Sequence, residues 1–288
     1  MNWLWYLTGA LITSVAALLL WRGSDKRAEQ RAWRHLTELA SAPQAVYTPA
    51  LVKDLPEPAR RYFNYTIRPG ALLKTVIELH MTGELGLGTR DAPNYRPMRA
   101  QQILAPPFGL VWRLWAGPIS GSDGTTPEAS WTRFWLFSLL PLVRVGGADH
   151  HRSAFGRVIA EGAFWAPASL LPGEHISWEP LGEDSARAVV VFNGLRQSVD
   201  ITVAPSGEPT RVLIQRWSNE NPGKVFRTQP FGGYLSEFRE FEGYRLPTRV
   251  EGGNHLGTPL YFPFYKAHVT TIRFPAPPAP ERTDSPIQ

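Results

Sequence analysis

Apolar residues run without interruption near the start of the chain and become periodic after it. Residues 3–21 contain no Asp, Glu, Lys or Arg, and as a helix they would extend about 28 Å, which spans a bilayer's hydrocarbon core. Trp3 and Trp5 lie at one end and Trp21 at the other, where indole rings favour the headgroup region. The pattern predicts a single-pass membrane anchor over residues 1–21. A cleaved signal peptide is the weaker alternative, because the run lacks a basic segment before it and a small-x-small site after it.

Beyond the apolar run, the pattern changes to that of amphipathic helices. Residues 24–40 place small and apolar side chains at about helical spacing behind Ser24, a suitable N-cap, so a stalk helix that continues off the membrane is predicted there. Ala42-Pro43 ends it, and residues 22–54 form a juxtamembrane helix and linker. Leu55-Pro56 opens a second short helix, which Pro69-Gly70 closes.

From residue 75 onward the pattern has a period of two, which is typical of strands. Residues 174–218 contain four strand-like runs, and Asn193-Gly194 between two of them is the preferred dipeptide of a type I′ hairpin. One helix is predicted at about 149–163. Further strands are predicted at about 98–105, 109–116, 130–137, 233–241, 247–255 and 265–274.

These elements together predict an α+β domain over residues 55–274, built on a mainly antiparallel, curved sheet with a few helices. The Pro-rich segment 275–288 is predicted to be a disordered tail.

Composition excludes several classes of function. The chain has no cysteine, so it contains neither a disulfide framework nor a thiolate metal site nor a cysteine nucleophile. Residues 22–34 carry a local net charge of +3 of the chain's +5, which leaves too little positive charge elsewhere for a nucleic-acid-binding surface. Because five basic residues follow the apolar run and none precedes it, the positive-inside rule favours a cell-membrane protein whose domain faces the cytoplasm.

Catalytic signatures are sparse. The sequence has no G-x-S-x-G, no H-E-x-x-H and no Walker A loop. His150 and His151 would point about 100° apart on a helix, so we expect exposed imidazoles and no metal site. Glu78 and His80 would share a strand face, as an acid–base pair or as part of a solvated surface. These observations favour a protein that is not an enzyme and needs no cofactor.

Aromatic residues are concentrated between residues 108 and 137. Seven of these thirty residues are aromatic, although the chain average is 12%. Arginines share predicted strand faces with the rings: Arg113 with Trp115, and Arg133 with Trp131 and Trp135. One interpretation is an ordinary core edge with arginine stems lying on indole faces. The other is a concave aromatic groove in which rings, including Trp112, bury an acyl chain and Arg113 or Arg133 meets an acidic group.

Several motifs resemble a bacterial family known only as a domain of unknown function. They are Leu55-Pro56-x-Pro58-x-Arg60-Arg61-Tyr62, Glu161-x-x-x-Trp165-x-Pro167-x-x-Leu170-Leu171-Pro172, Trp178-Glu179-Pro180 and Tyr244-Arg245-Leu246-Pro247-Thr248. The resemblance covers residues 55–274 and implies a sheet similar to the half-barrel of lipoprotein-carrier proteins, in which helices plug an apolar concavity. Trp165 either closes the core or joins the ligand-binding set.

The sequence therefore predicts a membrane-anchored protein that binds a lipid or another apolar ligand near the bilayer. The predicted ligand-binding residues are Trp112, Arg113, Trp115, Trp131, Arg133, Trp135 and Trp165. Two alternatives remain open: a membrane-tethered hydrolase that uses Glu78, His80 or Glu161, and a scaffold that binds protein partners through its sheet edges.

Overall fold

The fold is an antiparallel sheet with helices on both of its faces. The computed structural model describes residues 3–40 and 45–275. Its α-helices are α1 (Trp3–Glu38), α2 (Glu57–Thr66) and α3 (Ala148–Trp165), and 3₁₀ turns occupy Pro49–Val52 and Pro167–Leu170. The strands are β1 (Ile77–Gly86), β2 (Tyr95–Ala105), β3 (Gly109–Ala116), β4 (Ile119–Thr125), β5 (Ser130–Leu136), β6 (Leu140–Gly146), β7 (Ile176–Pro180), β8 (Ser185–Phe192), β9 (Leu195–Val203), β10 (Pro209–Ser218), β11 (Arg227–Phe241), β12 (Tyr244–Asn254) and β13 (Phe262–Arg273).

All thirteen described strands form one curved sheet in the order β6-β5-β4-β3-β2-β1-β13-β12-β11-β10-β9-β8-β7. Every neighbouring pair is antiparallel, so the α+β, mainly antiparallel fold expected from the sequence is confirmed. On the concave face, α2 and α3 pack through Tyr62, Phe63, Val158 and Ile159 to form the main core. A smaller core on the outer face lies under α1.

Most predicted strands are confirmed, but two were missed. The predicted turn is confirmed because Asn193 and Gly194 have φ angles of 48° and 75°, both positive as a type I′ turn requires. Neither β4 nor β6 was predicted. The sequence of β4 is small and polar, with Gly121 and Gly124 inside it, and β6 is an edge strand that does not alternate because all its residues are exposed.

The helix predicted over residues 24–40 is present and ends at Glu38, but Ser24 is not its N-cap. Helix α1 runs without a break through Gly23 and Ser24, and Ser24 is exposed within it. Glycine inside a helix costs about 1 kcal/mol, but here tertiary contacts of Asp25, Glu29 and Leu36 hold the second half of α1 on the sheet.

Among the described residues, α1 is the one helix long and apolar enough to cross a membrane. An 18-residue window within it has a mean hydropathy of 1.7, and none of that window is buried. The predicted helix stop at Ala42-Pro43 and nearly all of the predicted tail, residues 276–288, lie outside the described residues.

Candidate functional site

The concave face contains a cavity of about 870 Å³. Strands from both halves of the sheet and one face of α3 form its walls. Aromatic side chains account for much of the lining: Trp112, Phe134, Phe164, Trp165, Phe231 and Tyr265. The volume lies within the range of about 300–1,000 Å³ that is typical of small-molecule sites.

A row of paired residues across four strands explains part of the open space. Leu85 pairs with Tyr265, Tyr265 with Gly252, and Gly252 with Gly233. Residues paired across strands project from the same face of a sheet, and all of these line the cavity. A Cβ atom at Gly252 would have no neighbouring heavy atom closer than 3.8 Å. Gly252 therefore keeps a volume empty that a larger side chain would fill.

A charged network crosses the cavity wall between α3 and the sheet. Arg157 lies between Asp123 on β4, at 2.6 Å, and Glu161 one helical turn away, at 2.5 Å. Gln102 donates to Glu161. Burial alone would lower the pKa of Arg157, but Glu161 and Asp123 raise it above its ordinary value. Burial alone would raise the pKa of Asp123, but the hydrogen bond from His150 and the charge of Arg157 lower it. The guanidinium of Arg157 is therefore paired with two carboxylates.

Arg216, on β10, is the cavity arginine that lacks a carboxylate partner among the described residues. Its Nε donates to the backbone oxygen and Oγ of Ser153, at 3.3 and 3.0 Å, and its guanidinium lies 4.6 Å from the Phe231 ring centre. Burial and the positive charge of Arg157 lower the pKa of Arg216 to about 10. The charges of Asp123, Glu161 and Glu220 partly offset this lowering of the pKa, although none of these carboxylates forms an ion pair with Arg216 among the described residues. The side chain is still protonated at neutral pH.

A second hydrogen-bonded network links Ser130, His150 and Asp123. Thr132 donates to Asp123 at 2.6 Å, which leaves its oxygen free to accept from His150 Nε2 at 2.8 Å. The same Nε2 is 3.3 Å from Asp123 Oδ1. His150 Nδ1 is then the unprotonated nitrogen, and it accepts from Ser130 Oγ at 2.5 Å.

The network corrects the expectation that His150 is exposed to water, because its side chain is only 12% exposed. The residues of this network come from β4, β5 and the start of α3, which are separate elements of the sequence. No local motif indicated this arrangement.

The structure divides the predicted ligand-binding residues between the two faces of the sheet. Trp112 and Trp165 line the cavity, and their role in binding stays a prediction. The other five project from the outer face, because side chains alternate along each strand. These are Arg113, Trp115, Trp131, Arg133 and Trp135. The expected single groove is therefore not formed by this set.

On the outer face, α1 neutralises the arginines that were predicted to meet an acidic ligand. Asp25 forms ion pairs with Arg133 at 3.4 Å and Arg144 at 2.7 Å, and it accepts from the Trp135 indole at 3.1 Å. Glu29 pairs with Arg113 at 2.6 Å. Arg113, Arg133 and Arg144 are consequently paired on this face, whereas the concave face has room for a ligand.

The residues of the hydrolase alternative are divided between the two faces. Glu78 and His80 project from the outer face, where Glu78 accepts a hydrogen bond from the Trp33 indole. Glu161 lies on the opposite face and pairs with Arg157. Within residues 3–40 and 45–275, no group of three His, Asp or Glu side chains could hold a metal ion.

Residues 45–267 match a family of unknown function, DUF6544. The chain belongs to this family. The resemblance inferred from the Leu-Pro-x-Pro and Trp-x-Pro motifs is thereby confirmed. All the cavity charges, including Arg157 and Arg216, lie within the matched residues. Asp25 and Glu29 of α1 precede them.

Two solved structures are similar to the chain. A LolA superfamily protein, NE2245 from Nitrosomonas europaea, has a TM-score of 0.42 and 9% identity, with 80% of this chain and 94% of that chain covered. A putative outer membrane lipoprotein-sorting protein domain from Vibrio parahaemolyticus has a TM-score of 0.38 and 11% identity, with 78% and 91% covered. At this level of similarity neither structure assigns a ligand or an activity to this chain. No curated protein matches the sequence.

Proposed function

We propose that the domain binds a lipid, or another amphipathic molecule with an anionic group, in its cavity beside a membrane. The observation that carries the proposal is the cavity of about 870 Å³ in which Arg216 has no described carboxylate partner. A protonated guanidinium in such a site is best stabilised by an anion, since charge-assisted hydrogen bonds are roughly twice as strong as neutral ones. The ligand class therefore combines an acidic group with an apolar body.

The aromatic walls supply the apolar half of the site. Burying one CH₂ group gains about 0.8 kcal/mol, so an acyl chain of moderate length would offset the ordering costs of binding. Arg157 does not compete for the ligand's acidic group, because it already pairs with Asp123 and Glu161. Arg216 is left to interact with the acidic group.

The membrane part of the proposal concerns α1. Its residues 3–21 are apolar and exposed, which supports a single-pass anchor, and the basic residues that follow favour a cytoplasmic domain. Because α1 continues into the part held by Asp25 and Glu29, the anchor would hold the domain close to the bilayer. A cleaved signal sequence is the alternative use of the same apolar segment.

A photoactivatable fatty acid tests binding with the full chain. The protein is reconstituted in nanodiscs that contain the probe, irradiated, and analysed by mass spectrometry for label on cavity peptides. Gly252→Leu should reduce labelling about tenfold, since its side chain would occupy the cavity. Gly182→Leu is the matched control, because a Cβ there meets nothing within 4 Å at an exposed turn.

The ligand's charge is tested with a fatty alcohol of equal chain length. Stronger labelling by the acid than by the alcohol supports the anionic class. Equal labelling of the parent protein and Gly252→Leu, or no cavity label at all, would contradict the proposed site.

We infer a second candidate function, hydrolysis of acyl esters, from the Ser130–His150–Asp123 network. Ser130 Oγ would attack the ester carbonyl while His150 Nδ1 accepts its proton and then delivers it to the leaving alcohol. In the second half of the reaction His150 Nδ1 would accept a proton from water, whose oxygen attacks the acyl carbon, and would return that proton to Ser130 Oγ as the acid leaves. Asp123 and Thr132 would hold the imidazole tautomer and stabilise its protonated form.

A fluorophosphonate probe distinguishes this function from binding alone. Labelling of the full chain that is lost in Ser130→Ala and retained in Ser138→Ala supports hydrolysis, because Ser138 contacts only another serine, Ser120, among described side chains. An unlabelled parent protein removes the second candidate and leaves the first intact.

A further inference from the structure

The turn between β5 and β6 and the edge strand β6 expose an unusual number of apolar side chains. Phe137 is 73% exposed, Leu140 is 48% exposed and Leu142 is 51% exposed. Val143 and Val145 continue this exposed strip along β6, and Val145 also lines the cavity. Contiguous apolar surface of this kind in a folded domain marks a site of interaction with a partner or a membrane.

The hairpin lies next to the end of the apolar part of α1. The Trp21 and Trp135 rings meet edge to face with their centres 5.6 Å apart, and Trp135 is two residues before Phe137. The Arg144 guanidinium lies 4.4 Å from the Trp21 ring centre. Trp21 is the last residue of the charge-free run. The hairpin is therefore anchored to the point at which α1 changes from apolar to charged.

The direction of α1 places the turn between β5 and β6 at the same end of the sheet as the apolar residues 3–21. Along the helix, Trp21 contacts Trp135 near the end of β5, and Asp25 contacts Arg133. Leu36 packs in the cluster that contains Trp131, near the start of that strand. The helix thus runs from the turn end of β5 towards the opposite end. Residues before Trp21 continue past the turn.

We infer that residues 136–143 form a second membrane contact, in which the hairpin inserts Phe137, Leu140 and Leu142 into the interfacial region of the bilayer that α1 crosses. This inference rests on the proposed anchor. Acyl chains suit the strip because it carries no charge between Phe137 and Val143. The hairpin enters only the interfacial region, because the free backbone groups of the edge strand β6 would be costly to place in the hydrocarbon core. Val143 and Val145 then connect the membrane contact to the cavity wall.

The absence of cysteine allows single labels to be placed without other substitutions. Phe137→Cys and Leu140→Cys are labelled with an environment-sensitive NBD dye in the full chain, in nanodiscs with and without nitroxide lipids. Val191→Cys, on β8, is a matched control because the exposed fraction of Val191, 41%, is similar to the 48% of Leu140. Leu11→Cys, within the apolar run, reports on the anchor itself. We expect nitroxide quenching at 137 and 140 to exceed that at 191 by about threefold, as for groups buried about 5–10 Å into the interface.

The outcomes separate the hairpin contact from the anchor. Quenching at position 11 without quenching at 137 and 140 would overturn the hairpin contact and leave the anchor standing. No quenching at position 11 would overturn both. An NBD spectrum at 137 that shifts to shorter wavelength without nitroxide quenching would show that a second copy of the protein, and not lipid, covers the strip, which also overturns the inference. Near-UV circular dichroism of each labelled protein checks that the fold is retained.

Discussion

Strands β3 and β5 present tryptophans on both faces of the sheet, but the two faces differ in how charge is paired. On the outer face, Arg113 and Arg133 each have a carboxylate partner from α1, and Trp135 is fully buried. On the concave face, Trp112 is also nearly buried, at 6% exposure, yet the neighbouring cavity contains Arg216 without a described carboxylate partner. Aromatic content therefore does not distinguish the two faces. Arg22 of α1 also lacks a described carboxylate partner, but it is buried over the Trp135 ring on the outer face, whereas Arg216 borders a cavity.

The difference has a simple physical origin. Helix α1 contributes Asp25 and Glu29 as well as apolar area, so it pairs with Arg113, Arg133 and Arg144 while it covers the sheet. Helix α3 contributes both signs, and Arg157 uses the available acids Asp123 and Glu161. A cation that borders a cavity without an ion-pair partner can bind an anionic ligand, whereas a cation paired with a carboxylate under a helix contributes to the stability of the fold.

The largest expected effect is that of Asp25→Ala on the outer face. It leaves Arg133 and Arg144 without a carboxylate and removes the acceptor of the Trp135 indole. Both arginines are less than one-third exposed, so we expect a loss of about 2 kcal/mol in the free energy that holds α1 on the sheet. Hydrogen exchange of residues 22–38 in the full chain measures this loss.

The control for Asp25 is Asp184→Ala, which breaks the pair between Arg61 and Asp184, whose side chain is 52% exposed, and leaves Arg61 paired with Glu57. Exposed ion pairs contribute about 0–1 kcal/mol, so this variant should change exchange little. If both variants left residues 22–38 equally protected, α1 would be held by apolar contacts alone and the outer face would not be defined by charge pairing.

The second prediction reverses the comparison on the concave face. Arg216→Gln removes the cation without a described carboxylate partner, so we expect affinity for the photoactivatable fatty acid to fall about tenfold to a hundredfold while stability is retained. Arg113→Gln should reduce stability and leave affinity unchanged, because Arg113 pairs with Glu29 on the other face. Quantitative crosslinking measures affinity, and urea unfolding measures stability. The opposite pattern would restore the groove that the sequence predicted.

The sequence predicted the sheet more fully than the site, for physical reasons. The alternation of residues such as Ile77, Leu79 and Met81 reports directly on a strand with one buried face, and Asn193-Gly194 reports on backbone angles. Neither signal says which element covers a face. A helix beyond Trp21 was predicted, but not that it packs on the sheet and supplies carboxylates to Arg113 and Arg133.

Arg216 gave no local signal, since it is one arginine among several in a strand. Its meaning depends on the absence of a described carboxylate partner near it in three dimensions. Likewise β4 and β6 are held by their neighbours and not by their own patterns.

The third prediction concerns pH. Burial alone would raise the pKa of Asp25, but its hydrogen bond and charge interaction with Arg144, together with the charge of Arg133, lower the pKa below its ordinary value. Asp25 therefore stabilises the docked helix fully above its unfolded pKa of about 3.9, and this contribution is lost as the pH falls through the lower folded value. Exchange of residues 22–38, corrected for its intrinsic pH dependence, should accelerate below about pH 4. Asp25→Ala should lack this acceleration, and an identical pH profile in both proteins would contradict the assignment.

The smallest expected effect lies far from both faces, at the turn between β8 and β9. Gly194 has a φ angle of 75°, which a β-branched residue adopts only with strain, so Gly194→Val should destabilise the domain by about 1 kcal/mol or more. Gly182→Val is the matched control, because Gly182 also lies in an exposed turn with open space around its Cβ position, but without a positive φ. Urea unfolding of the two variants should therefore differ although neither substitution creates a clash. The turn is not part of the cavity lining. At low urea, Gly194→Val should therefore leave both the hydrogen exchange of residues 22–38 and the labelling by the fatty acid unchanged. Equal midpoints for the two valine variants would mean that the turn conformation contributes nothing to stability.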